Sequence, residues 1–243
     1  PGADGVGVAF SDAVATDGGV LSLGGAHGAT GRAPGLAVLE ADLGVPLAVV
    51  SQVHGTDVAV VGADTDLAVL ATRSADALLT TRPGIGLAVR VADCVPVLFA
   101  DAAAGVIGAA HAGRVGLAAG VLQATVAALR ARGARQLTAW IGPHVCGACY
   151  EVPKELADQV AQQVPGTRST TSWGTPALDL GAGAARVLIA PTAQMFLFGT
   201  EIDYETGLLE SGFRFRNPNV TDSCGCGESV SFAPLEGSRA QQP

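Results

Sequence analysis

The sequence predicts an α/β fold, with α+β as the alternative: a mixed, layered sheet with flanking helices, followed by a short β-rich C-terminal segment. Three observations carry this. Short, nearly continuous apolar runs at GLAVRVA (86–92), VPVLFAD (95–101) and GVIGAAH (105–111) suit strands buried on both faces. Alongside them runs helical periodicity, above all in 116–132, where Leu117, Val121, Leu122, Val126 and Leu129 recur on one face. From about residue 190 the texture changes. Phe196, Phe198, Phe213, Phe215 and Phe232 are five of the chain's seven phenylalanines, and SGFRFRN alternates apolar with polar residues, as a strand with one solvated face does.

The elements follow in order. GLAVLEADLG (35–44) reads as a helix stopped by Gly44. LAVVSQV (47–53) and DVAVV (57–61) read as strands around a turn at Gly55. The helix over 116–132 carries Arg130 and Arg132 in its last turn, where cations complement the helix dipole, and Gly133 stops it. LTAWIG (137–142) reads as another buried strand, and Pro153 as the first helical residue of PKELADQVAQQ. A boundary near 190–195 gives two domains, 1–190 and 191–243.

Composition narrows the function. A chain of 243 residues buries roughly 70% of its unfolded surface. Hydrophobic residues at 49% and a mean hydropathy of +0.39 exclude extensive disorder. No apolar run of roughly 18 residues escapes interruption by Gly, Pro or charge, so no membrane-spanning helix is expected. A net charge of −8 and a pI of about 4.8 have the wrong sign for a non-specific nucleic-acid or anionic-membrane binder, and neither partner is expected. Five cysteines is an odd number, and PGADGVGVAF lacks the basic-then-apolar pattern of a secretory signal. The expectation is a cytoplasmic protein with reduced thiols, in which metal or redox use of cysteine outranks a disulfide framework.

Three segments place potential metal ligands just after or inside buried strands: SQVHG with His54, VADCVPVLFAD with Cys94 and AAHAG with His111. Imidazole and thiolate are ligands of Zn²⁺, and three of them with an open fourth position describe a catalytic site. The separations of 40 and 17 residues specify nothing, so a buried free cysteine with two capped histidines stays open as an alternative. Gly55 and Gly113 flank the histidines and permit close backbone approach. Asp93 is an orienting or acid–base group, or else a turn aspartate. Cys146-x-x-Cys149 is a redox pair or half a zinc site. A cytidine-deaminase-type site needs H-x-E, and none of His27, His54, His111 or His144 has Glu two residues on.

SQVHG (51–55), ADALLT (75–80), ADCVPVLFAD (92–101), HAG (111–113), IGPHVCGACYEV (141–152) and WGTPALDL (173–180) together resemble the YfiH-like family, long called multicopper polyphenol oxidases or laccase-domain proteins and now regarded as purine nucleoside phosphorylases. The resemblance covers about residues 8–188. It implies a single α/β-type domain with zinc at His54, Cys94 and His111. The implied chemistry is phosphorolysis of adenosine, inosine, guanosine and methylthioadenosine, with adenosine deamination in addition. Copper-dependent polyphenol oxidation is the alternative; it needs several coppers and many imidazoles, and the chain has four histidines. Where many relatives read H-A-G-W-R-G this chain reads HAGRVG. Arg114 is thereby a contact for phosphate or a developing anion, or a surface arginine at a helix start. Asp93 and Arg114 are the candidate catalytic residues. His27, in SLGGAHG, is a loop histidine first and a substrate contact second. The resemblance assigns Cys149, Tyr150 and Glu151 to a structural motif, which favours packing over redox chemistry for the C-x-x-C.

Residues 191–232 resemble instead the C-terminal half of an A-type iron–sulfur carrier of the HesB/IscA kind, through GTEIDY, GFRFRNPN and CGCG. An iron–sulfur carrier or scaffold using Cys224 and Cys226 is the non-enzymatic alternative. Two thiolates do not enclose a cluster, so no iron–sulfur cluster is expected. Oligomeric state is not readable from the sequence.

Overall fold

The apolar runs 95–101 and 105–111 become neighbouring antiparallel strands of one sheet, whereas 86–92 contributes only a short strand outside it. The computed structural model describes residues 5–11 and 35–188 and four later strands. The chain divides into two compact units, Pro1–Leu188 and Ile189–Pro243. In the first, the elements are α1 (Gly35–Leu43), β1 (Leu47–Ala48), β2 (Val58–Val61), α2 (Leu67–Leu70), β3 (Ala77–Thr80), β4 (Gly86–Leu87), β5 (Val95–Asp101), β6 (Val106–Ala112), α3 (Arg114–Ala119), α4 (Val121–Arg130), β7 (Thr138–Ile141), α5 (Lys154–Gln163), β8 (Arg168–Thr170), β9 (Pro176–Leu178) and α6 (Leu180–Leu188). In the second, β10 (Glu201–Thr206) pairs antiparallel with β11 (Ser211–Arg216), and β12 (Val220–Ser223) with β13 (Val230–Phe232).

The central sheet has the order β2-β3-β6-β5-β7. Only β2 and β3 run parallel; the other neighbours are antiparallel. All four residues of β3 are buried, which is why its sequence, ALLT, shows no alternation. Helix α4 packs Leu122 and Leu129 into the core on β3 and β6. Gly108 of β6 makes room for it: a Cβ there would lie 3.2 Å from both Leu129 methyl carbons. Two small pairs stand outside this sheet: β1–β4, whose β4 touches β3 and β6, and β8–β9, which packs on α5.

Register fixes which residues meet. Ala77 pairs with Ala110, so Asp76 stands opposite His111, and the His111 N–H donates to the Asp76 carbonyl at 2.7 Å. Val95 pairs with Ala112, which brings Cys94 to the same end. Val58 pairs with Ala77, so the segment entering β2, with His54, arrives there as well.

Several elements differ from expectation. The helix expected over 116–132 begins at Arg114 and breaks at Gly120, whose φ of 97° no β-carbon-bearing residue adopts readily. Its N–H closes α3 on the Leu117 carbonyl at 3.2 Å, while its carbonyl accepts from Ala124 at 2.9 Å and starts α4. The runs 47–53 and 86–92 contribute only two strand residues each, β1 and β4. Strand β7 is an edge strand with Thr138 and Ala139 exposed, not a buried one. Pro153 caps α5 from outside rather than opening it. Gly44 does stop α1, with φ 70° and its N–H on the Glu40 carbonyl at 2.9 Å. His27, Phe196, Phe198, Cys224 and Cys226 lie outside the described residues. Among the described residues no helix is long and apolar enough to cross a membrane.

Asp101, at the end of β5, is 2% exposed and accepts from the N–H groups of Ala104 (3.0 Å), Arg135 (2.6 Å) and Gln136 (2.7 Å). It thereby ties the β5–β6 turn to the segment entering β7. The Gln136, Arg135 and Ala104 donors hold its carboxyl below the usual value, outweighing burial. A depressed folded-state pKa adds stability above the unfolded value of about 3.9, and that stability is lost as pH falls through the folded value. Asp101→Asn is therefore expected to melt below the parent at pH 7, with the gap closing as pH falls below about 4; thermal melts across pH measure it.

Candidate metal centre

The site is organised around a carboxylate. Asp76, fully buried ahead of β3, receives three successive backbone N–H groups: Val53 at 3.2 Å and Gly55 at 2.6 Å on Oδ2, and His54 at 2.9 Å on Oδ1. Its Oδ1 also lies 2.8 Å from Nδ1 of His111. Burial pushes the Asp76 carboxyl up, but the His111 bond and the Gly55, Val53 and His54 donors together hold it below the usual range. An ionised carboxylate only accepts, so His111 carries its proton on Nδ1 and presents Nε2 to the site. Burial pushes the His111 pKa down, against the raising influence of Asp76; the imidazole is the neutral form a metal requires.

The wrapping of residues 53–55 around Asp76 explains the backbone of His54. Its φ of 61° makes it the one non-glycine residue with positive φ among the described residues. Such strain costs about 1–3 kcal/mol. Three hydrogen bonds to a charged acceptor, at about 1.5–3 kcal/mol each, outweigh it.

His54, Cys94 and His111 offer ligand atoms that all lie within 4.8 Å of one another. The Cys94 sulfur is 3.7 Å from Nε2 of His54, close to the edge of about 3.5 Å expected between a thiolate at ~2.3 Å and an imidazole at ~2.0 Å on a tetrahedral ion. The two imidazole rings meet edge to face, with centroids 4.8 Å apart. A Cβ on Gly113 would come within 3.0 Å of both the Cys94 sulfur and the His54 Nε2. Only glycine leaves the space between these ligands open. Gly116, one turn on, lets the 53–55 loop approach α3, since a Cβ there would lie 2.8 Å from the Gly55 carbonyl. Burial, followed by the charge and hydrogen bond of Asp93 and the charge of Asp76, pushes the Cys94 thiol up to about 11. Surrounding anions that oppose a bare thiolate favour a thiolate neutralised by a cation. The donor set and the space fit a metal ion.

The candidate catalytic residues sit beside this group. Asp93 is exposed, and its carboxylate is hydrogen-bonded to the Cys94 side chain. Arg114 opens α3 directly after Gly113 and is half-buried. Cys146 and Cys149 are both exposed, which overturns the packing role expected for them. Asp76 went unassigned in the sequence. The available signal was a carboxylate immediately ahead of an all-apolar strand in ADALLT, where burial without a partner is too costly to tolerate.

Residues 33–194 match the model of a family described as multi-copper polyphenol oxidoreductase laccase. The chain belongs to this family. Within the laccase-like family, it is 55% identical over 146 residues to a Streptomyces griseus protein named purine nucleoside phosphorylase, covering 58% of this chain and 57% of that one. It is 47% identical over 173 residues to a Streptomyces coelicolor protein of the same name, covering 67% of this chain and 69% of that one. The chain thus spans little more than half of the first relative and about two thirds of the second. The crystal structure of the Bacillus licheniformis hypothetical protein YfiH superposes with a TM-score of 0.58 at 27% identity, over 70% of each chain. The resemblance to YfiH-like proteins and the α/β fold are thereby both shown.

Two outcomes follow from the geometry. Asp76→Asn is expected to weaken metal binding about 10–100-fold in chelator competition, because the His111 tautomer is no longer enforced. It also lowers the melting temperature, since orphaned N–H groups cost about 1–3 kcal/mol each. Gly113→Ala is expected to retain the circular dichroism of the parent while losing metal, by mass spectrometry, to a greater extent.

Proposed function

We propose that the chain is a zinc-dependent purine nucleoside phosphorylase, converting nucleosides such as adenosine, inosine, guanosine and methylthioadenosine, with inorganic phosphate, to the free base and the pentose 1-phosphate. The observation that carries this reading is the convergence of His54, Cys94 and His111 around the open space at Gly113, in a chain whose relatives bear that name. Two imidazoles and one thiolate are a ligand set that suits zinc with a position left open. A bound ion supplies electrostatic stabilisation and Lewis acidity at that position.

The chain's own groups take the remaining roles. Asp76 holds the His111 ring so that Nε2 faces the site. The Arg114 guanidinium, one residue from Gly113, is the phosphate contact. A phosphate oxygen attacks the anomeric carbon, the bond from that carbon to the purine nitrogen breaks, and its electron pair leaves with the base. Asp93 is the group that handles the proton taken up by the leaving purine. Hydrolytic deamination of adenosine at C6, giving inosine, is an accompanying activity of the same site. Copper-dependent oxidation, the activity in the family description, draws on several coppers. Four histidines, and one His–Cys–His group among the described residues, support the single-ion reading instead. A thiolate ligand that must stay reduced supports a cytoplasmic location.

The test is metal analysis paired with adenosine turnover. The expected result is one zinc per chain, loss of most of it in Cys94→Ser, and adenine formation that rises with phosphate and falls at least 100-fold in that variant. Copper in place of zinc, or inosine as the sole product independent of phosphate, overturns the reading.

A further inference from the structure

We propose that Cys146 and Cys149 form a thiol–disulfide exchange site, separate from the metal-binding group, that takes a small-molecule or protein disulfide as its oxidant. The geometry comes first. The Cys146 carbonyl accepts from the N–H groups of Cys149 at 3.0 Å and Tyr150 at 3.2 Å, so the two cysteines open and close one tight turn. Such a turn holds its end Cα atoms within about 7 Å, in the range a disulfide spans. Both cysteines are exposed.

The turn is also held in place. A Cβ on Gly147 would lie 2.7 Å from the Ser169 hydroxyl and 2.8 Å from the Asp179 Cβ, so the turn presses against β8 and the residue ahead of α6. The Ala148 carbonyl accepts from the Ser172 N–H at 3.2 Å. Both central residues are therefore pinned while the thiols at the ends face solvent. This is the arrangement of a preorganised dithiol, in which little chain motion separates the reduced and oxidised forms.

A structural metal is the competing use of C-x-x-C. Zinc of that kind needs four ligands. Among the described residues, the one group of three or more metal-type side chains is His54, Cys94 and His111, which includes neither of these cysteines. The dithiol is left for redox chemistry.

The two sulfurs are not equivalent. The hydrogen bond from Cys149, followed by the Ala148 N–H, favours the Cys146 thiolate and lowers its pKa; the same bond to Cys146, with that sulfur's charge, raises Cys149. Cys146 is thus the attacking thiol and Cys149 the resolving one. In the step, the Cys146 thiolate attacks one sulfur of the external disulfide. Its S–S bond breaks, one thiolate leaves, and a mixed disulfide forms on Cys146. Cys149 then gives up its proton to water and attacks the Cys146 sulfur, expelling the second thiolate. The chain loses two electrons and two protons, and the external disulfide becomes two thiols.

The site adjoins the metal loop through the backbone. The Val145 N–H donates to the Asp93 carbonyl at 3.1 Å, so Cys146 is one residue from a contact with the residue preceding Cys94.

The test uses the full, zinc-loaded chain in buffers of reduced and oxidised glutathione, quenched with acid, alkylated and mapped by peptide mass spectrometry. The expected product is a Cys146–Cys149 disulfide, reversed by excess reduced glutathione. Cys149→Ser is expected to accumulate a glutathione adduct on Cys146, and Cys146→Ser to react at Cys149 at least tenfold more slowly. Two alkylated cysteines at the most oxidising ratio overturn the proposal, as does a bond from either one to Cys94, Cys224 or Cys226. An adduct forming equally fast at Cys149 in Cys146→Ser overturns the assignment of roles.

Discussion

The hydrogen bonding of Asp76 is the constraint on which the rest of the site depends. One carboxylate in the sheet interior fixes the three peptides of the 53–55 loop and one imidazole at the same time. A buried carboxylate with no donors is among the costliest groups a fold can carry. The loop and the ring are the donors that make its burial tolerable, so ligand placement and fold stability rest on the same bonds. His54 reaches the site because its own N–H is needed by Asp76, and His111 presents Nε2 because Nδ1 is already committed. The His–Cys–His group is thus assembled by satisfying a buried charge.

Close backbone approach is the second ingredient. Gly113 leaves open the space between Cys94 and His54, and Gly116 lets α3 press on the Gly55 carbonyl. The segment after β6 therefore carries glycine at 113 and 116, where the backbone is approached closely, and again at 120, where α3 ends. This also explains why a single periodic helix over 116–132 is absent. The apolar face continues through Gly120, but a left-handed residue cannot be a helix interior, so α3 ends and α4 begins there.

What was legible follows the range of the physics involved. Strand β5 reads directly from VPVLFAD, and the end of α1 from Gly44, because burial pattern and left-handed caps are local. The short strands β1 and β4 read too long, because apolar continuity marks burial rather than ladder hydrogen bonds, and Val49 and Val50 are buried outside any strand. Strand β7 read as buried from TAWI, whose exposure depends on its place at the sheet edge. The set His54, Cys94 and His111 came from the ordered motifs and not from spacing, since ligands 40 residues apart carry no local signal. Asp76 was hidden for the same reason: its partners lie 21 to 35 residues away, and only the registers of β3 on β2 and on β6 bring them together.

The three described cysteines show how one side chain is given different chemistry by its surroundings. Cys94 is half-buried, and burial, followed by the charges of Asp93 and Asp76, opposes its thiolate. Cys146 sits on an exposed turn where a neighbouring thiol and a backbone N–H favour its thiolate. Oxidants react with thiolates and not with thiols. Cys94 is guarded by its protonation. The exposed turn is therefore the place where oxidation begins, at a distance of one peptide from a hydrogen bond to the metal loop. A sheet that collects anions around one thiol and a turn that strips a proton from another keep the two kinds of sulfur chemistry apart within one small domain.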